Sequence, residues 1–140
     1  MIPKCNLVAK GKRMTNALEV LKEWMDGINT ADIEKLVNLY DEEAIMIPTF
    51  SNRILNSQEK IRDYFEKVGA KQDLSITLHE KTVHTQDVGD QLFCISGIYK
   101  WCFSIDDEPL TFEARFSYVF DLKRSSPILN HHSSQIPRSL

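Results

Sequence analysis

The sequence predicts an α+β fold in which three N-terminal helices pack on a curved, mainly antiparallel sheet. Three observations lead there. Apolar residues recur at helical spacing in three segments of the first half. From Leu74 onward the apolar period changes to two, the repeat of a strand. Helices and strands are thus segregated along a chain of 140 residues, whereas a parallel α/β sheet would alternate them.

The first helix is predicted after Thr15, a plausible N-cap, with Leu18, Leu21, Trp24, Met25 and Ile28 on one stripe. Asn29 to Asp32 interrupt it, and Ile33, Leu36, Val37, Leu39 and Tyr40 make a second helix that Asp41-Glu42-Glu43 ends. Ala44 to Ile47 read as a short strand stopped by Pro48, and Thr49 to Asn56 as a polar connection. Ser57 caps a third helix whose inner face is Ile61, Tyr64, Phe65 and Val68, ended by Gly69. Leu74, Ile76 and Leu78 then alternate with polar residues in a strand running on to His84. After a turn at Val88-Gly89-Asp90 comes a long strand from Gln91 to Ile105, with Ile95, Gly97, Tyr99, Trp101 and Phe103 on one parity.

The last third reads as a β-hairpin: Thr111 to Phe120, a turn at Arg124-Ser125-Ser126-Pro127, then Ile128 to Pro137. Alternation puts Phe112, Ala114, Phe116, Tyr118 and Phe120 on one face and Glu113, Arg115, Ser117 and Val119 on the other. Neither looks like an ordinary solvent face. The expectation is a sheet covered on both sides, with Arg115 in a sheltered hollow.

Composition narrows the function classes. A net charge of −3 gives no electrostatic reason to expect nucleic acid, and no apolar run is long enough to span a bilayer. The residues before Met14 lack the apolar core of a signal peptide, so cytoplasm is the expected compartment and residues 1–13 a loose arm before one domain over 14–140. Three cysteines without a CxxC pair suit a reducing compartment, with Cys94 and Cys102 as strand filler. No compact metal-ligand set exists: His131 and His132 are adjacent on a strand and point to opposite faces, and His79 and His84 also differ in parity. No cofactor is expected.

Helix, helix, short strand, helix, then meandering strands resembles the SnoaL-like branch of the nuclear-transport-factor-2-like cone fold. Three stretches are more specific: Ile47 to Arg53 running into Ile61 to Phe65, then Ala114 to Phe120, and the closing His131-His132-Ser133-Ser134-Gln135-Ile136-Pro137. Together they resemble bacterial proteins related to the association (hub) domain of calcium/calmodulin-dependent protein kinase II, over roughly Thr15 to Pro137. The resemblance implies a cone with a pocket between helices and sheet, sheet-to-sheet homodimers or higher oligomers, and no kinase activity. It also implies that Arg115, Tyr99 and Ser133 match pocket positions, with Asn52 and Arg53 a donor pair at the pocket mouth.

The expected partners are therefore a second copy and an unknown small molecule. The expected ligand residues are Arg115, Tyr99, His131, Ser133, Asn52 and Arg53, around a compact polar or aromatic ligand. The expected dimer surface is Phe112, Phe116, Tyr118, Phe120 and His132. Two alternatives stand beside this: a pure assembly module, and an isomerase- or cyclase-like proton transfer with His131 as base and Tyr99 or Arg115 as donor. Each residue also has a plainer reading, as a satisfied core side chain or a salt-bridged cation.

Overall fold

Helix α1 (Ala17–Asn29) forms where the sequence has an apolar stripe, and Val20, Leu21, Trp24 and Ile28 are buried along it. The computed structural model describes Met14 and residues 16–137. The expected cap Thr15 and the arm at residues 1–13 lie outside these. Asn16 is the observed cap, its side-chain oxygen accepting the Glu19 N–H at 2.8 Å. Asp32 caps α2 (Ile33–Leu39) in the same way through the Lys35 N–H. The two helices cross closely because residue 27 is glycine: a Cβ there would stand 2.8 Å from Leu36.

Asp41-Glu42-Glu43 does not end a helix as expected. Strand β1 (Tyr40–Ile47) begins directly after α2, and the acidic run belongs to it. Parallel pairing of Tyr40 with Ile128 draws these residues into the sheet, and an irregularity between Tyr40 and Ile45 absorbs them. Helix α3 (Gln58–Gly69) follows, capped by Ser57 and buried along Ile61, Tyr64, Phe65 and Val68.

The single strand expected from Leu74 to His84 is in fact two, β2 (Gln72–Leu78) and β3 (His84–Gly89), separated by a 3₁₀ turn at Glu80–Thr82. Thr82 causes the break. Its hydroxyl donates to the His79 carbonyl at 2.7 Å and accepts the Ile98 N–H at 2.9 Å, replacing a ladder bond of the neighbouring strand. Strands β4 (Leu92–Ile105) and β5 (Glu108–Asp121) form a long hairpin. Its turn places Asp106 and Asp107 at φ of 52° and 65°, a two-residue turn whose twist suits a hairpin. Strand β6 (Ile128–Gln135) completes a sheet ordered β1-β6-β5-β4-β2, with β3 also on β4. All pairs are antiparallel except β1 with β6.

Three helices on one face of this curved sheet confirm the α+β cone. Which face they cover corrects the sequence reading. Phe116, Tyr118 and Phe120 are at most 4% exposed, and Phe112 is half-buried against the same core. The aromatic row is the protomer's own interior, so it offers no surface to a second copy. The physical reason is that the helical stripes need apolar area, and this row is the continuous apolar face of β5; each such ring gains about 1.5–3 kcal/mol on burial. Large and small residues alternate across the ladder, Gly97 opposite Phe116 and Ala114 opposite Tyr99. A Cβ at Gly97 would come within 3.0 Å of the Phe116 ring.

Candidate functional site

Parity sets His131 and Ser133 of β6 inward, and both are buried at 0% and 2% exposure, while His132 points outward and is exposed. Register brings His131 opposite Tyr118, and the two rings stack with centroids 3.9 Å apart. Trp24 from α1 and Tyr40 from β1 close over the imidazole.

These groups form one directed chain of hydrogen bonds. Trp24 Nε1–H donates to Tyr40 Oη at 3.0 Å, and Tyr40 Oη lies 2.7 Å from His131 Nδ1. Tyr99 Oη lies 3.1 Å from His131 Nε2 and donates to Ser133 Oγ at 2.8 Å, and Ser133 meets Thr49 Oγ1. Tyr99 has one hydroxyl proton, already given to Ser133, so it accepts from His131 Nε2–H. Tyr40 then donates to Nδ1. One neutral tautomer satisfies every link. Burial, with His132 next door adding to it, depresses the His131 pKa to about 3, which holds the ring neutral near pH 7. Burial likewise raises Tyr40, Tyr99 and Tyr118 above the ordinary phenol range. Trp101 Nε1 and Tyr118 Oη are buried with no partner.

Above this core, the loop after β1 is clasped at its neck by two backbone bonds between Met46 and Leu55, 2.9 and 2.8 Å. The clasp presents Phe50, whose ring meets Trp101, Phe103 and Phe112 edge-on at 5.2, 5.4 and 5.5 Å. The Tyr64 hydroxyl accepts the Phe50 N–H at 3.3 Å and fixes the loop on α3. Phe50 plugs the open end of the cone and forms the floor of a groove of about 630 Å³ between this loop, α3 and the β4–β5 hairpin. Arg53, Lys60, Lys67 and Lys71 line it with Phe50, Phe103 and Phe112. Asn52, Arg53 and Ser133 line an adjoining cleft.

The expected ligand residues therefore fall into three places. Tyr99, His131 and Ser133 come together in the core, Asn52 and Arg53 sit at the mouth, and Arg115 is apart from both. Arg115 is exposed on the outer sheet face beside Ser117, His132 and Ser134. In the protomer Arg115 lines an open depression of about 200 Å³ and not the sheltered hollow expected, because the helices cover the opposite parity of β5. Glu113, on the same outer face, pairs with His79 at 2.8 Å. Sequence reasoning missed Thr49, Phe50 and the lysines of α3. Thr49 and Phe50 lay within the family-like stretch Ile47 to Arg53 without a role, and helical spacing put the lysines on the solvent side of α3, which says nothing of what packs above the loop.

Among known proteins, the family model of the calcium/calmodulin dependent protein kinase II association domain matches residues 13–137. A crystal structure from Xanthomonas campestris, described as such an association domain, superposes with a TM-score of 0.77 at 25% identity, covering 87% of this chain and 86% of that one. No curated protein matches the chain. Among the described residues, no helix is long and apolar enough to cross a membrane, and no cluster of metal-ligating side chains occurs.

Proposed function

Because the chain belongs to the calcium/calmodulin dependent protein kinase II association domain family, we propose that it is a self-associating, non-kinase domain that binds a compact polar or aromatic ligand at the mouth of its cone. The observation that carries the ligand reading is the groove roofed by charge and floored by Phe50, Phe103 and Phe112, within the size range of small-molecule sites. The buried network lies beneath it: every link from Trp24 to Ser133 is satisfied, and Trp24 and Tyr99 meet Trp101 edge-on, the ring on which Phe50 packs. Proton transfer has less support, since His131 lines neither the groove nor the adjoining cleft.

Self-association rests on the family and would use the outer sheet face. Ile98, Val119, Cys94 and Cys102 there are half-buried among Arg115 and His132. A thermal-shift screen of small carboxylates, phenols and aromatic amides tests the first reading, and stabilisation should appear for at least one class and vanish in Phe50→Ala. Light scattering tests the second: a particle larger than one chain is expected, and a monodisperse monomer at micromolar concentration refutes it.

A further inference from the structure

Resting on the proposed self-association, we infer that the outer sheet face holds a second copy at neutral pH and releases it on mild acidification, through histidines that point out of the sheet. Of the four histidines in the chain, His131 is buried and the other three lie exposed on the outer side. His132 of β6 stands opposite Ser117 of β5, its Nε2 2.8 Å from Ser134 Oγ. His84 of β3 stands opposite Ser96 of β4. His79, just before the 3₁₀ turn, reaches the Glu113 carboxylate of β5 at 2.8 Å.

This face suits cover by a second copy while the rings are neutral. Its middle is a half-buried apolar strip made by Ile45 and Ile47 of β1, Ile98 of β4 and Val119 of β5. Its permanent charges nearly balance, Arg115 and Lys100 against Glu113, which lies opposite Lys100 in the ladder. Protonation upsets that balance, because only His79 has a carboxylate to meet its charge. Around His132, β5 supplies Ser117, Val119 and the cation Arg115, and β1 supplies Ile45 and Ile47; Glu43 falls in the irregular stretch before them. Around His84, β4 offers Cys94, Ser96 and Ile98, and the adjoining turn carries Glu80 and Lys81, of opposite sign. Asp121, at the end of β5, is committed to Lys123 and Arg124 at 3.2 and 3.0 Å. Arg115 and Lys100 take part in none of the ion pairs among the described residues. A two-fold contact presents the same patch from both copies. Each copy therefore brings the His84 and His132 imidazoliums, with no carboxylate of their own, into a contact that already holds both Arg115 side chains. Covering unpaired like charges is unfavourable, and histidine is the side chain that changes charge between about pH 5 and 8.

Sedimentation velocity over a range of protein concentrations at pH 7.5 and 5.5 tests this, with far-UV circular dichroism following the fold at both. The dissociation constant should rise about tenfold or more at the lower pH, releasing folded monomer, and the rise should shrink as salt increases. His132→Gln together with His84→Gln should remove most of the rise, whereas His79→Gln should leave it. His132→Lys should weaken association about tenfold already at pH 7.5. An unchanged constant at pH 5.5 overturns the switch and leaves self-association standing. A full pH response in the double glutamine variant overturns the assignment to these histidines. Release that coincides with loss of helical signal traces to the core and overturns the switch as well. A monomer at pH 7.5 removes self-association and this inference with it.

Discussion

Tyr99→Phe is the sharpest probe of the hydrogen-bond chain, because it removes one oxygen and almost no volume. The ring keeps its stacking on Trp24 and on Phe116, centroids 5.5 and 4.5 Å away. Lost are the acceptor for His131 Nε2–H and the donor to Ser133, which still has Thr49. The cost is therefore one orphaned donor in a site of zero exposure. Stranding such a group costs about 1–3 kcal/mol. A chain of this length loses about 3–4 °C of melting temperature per kcal/mol, so the midpoint should fall by about 3–12 °C. Denaturant unfolding at fixed protein concentration, with the slope unchanged, measures the same quantity directly. The argument also fixes a second number. In a His131→Phe background the donor is already gone, and the same tyrosine change should cost under about 0.5 kcal/mol. A wild-type-like Tyr99→Phe protein, or equal costs in both backgrounds, would refute the tautomer and the direction of the chain.

Further outcomes follow from the same geometry. The folded pKa of His131, about 3, lies below its unfolded value of about 6.5, so its neutral form contributes stability above pH 6.5 that is lost as pH falls toward 3. The slope should approach about 1.4 kcal/mol per pH unit between those limits. It should disappear in His131→Phe, as read by unfolding at several pH values. Asp121 acts in a lower window. Burial alone would raise its carboxyl, but the Lys123 N–H, Arg124 and the Lys123 ammonium outweigh that and lower it. Its contribution is present above the ordinary carboxylate pKa and disappears only as pH falls below it, so Asp121→Asn should flatten the acid limb below about pH 4 while leaving the histidine limb. Gly27→Val should cost about 1–3 kcal/mol by forcing α1 off Leu36, whereas Gly89→Ala, at φ 99° with open space around it, should pay only for backbone strain. Chemical denaturation ranks the two.

Periodicity alone determined the helices, most strands and the α+β class, because side-chain direction repeats every 3.6 residues in a helix and every two in a strand. It also determined that His131 and Ser133 share one face and His132 takes the other, since parity is a local property. What it left undecided was which face the helices would cover. Phe112, Phe116, Tyr118 and Phe120 were expected to meet a partner subunit and Arg115 to lie in a sheltered hollow, and no local pattern tests that choice. Only tertiary packing decided it, by setting Trp24 of α1 edge-on against Tyr118 of the aromatic row and leaving the guanidinium exposed on the outer face. The break between β2 and β3 had the same origin, since Thr82 needed Ile98, sixteen residues away, to show itself as a ladder substitute. The groove at the cone mouth belongs to the same category: Phe50, Arg53, Lys71 and Phe103 are brought together by the Met46–Leu55 clasp and the hairpin, and no local pattern encodes contacts between segments so far apart in sequence.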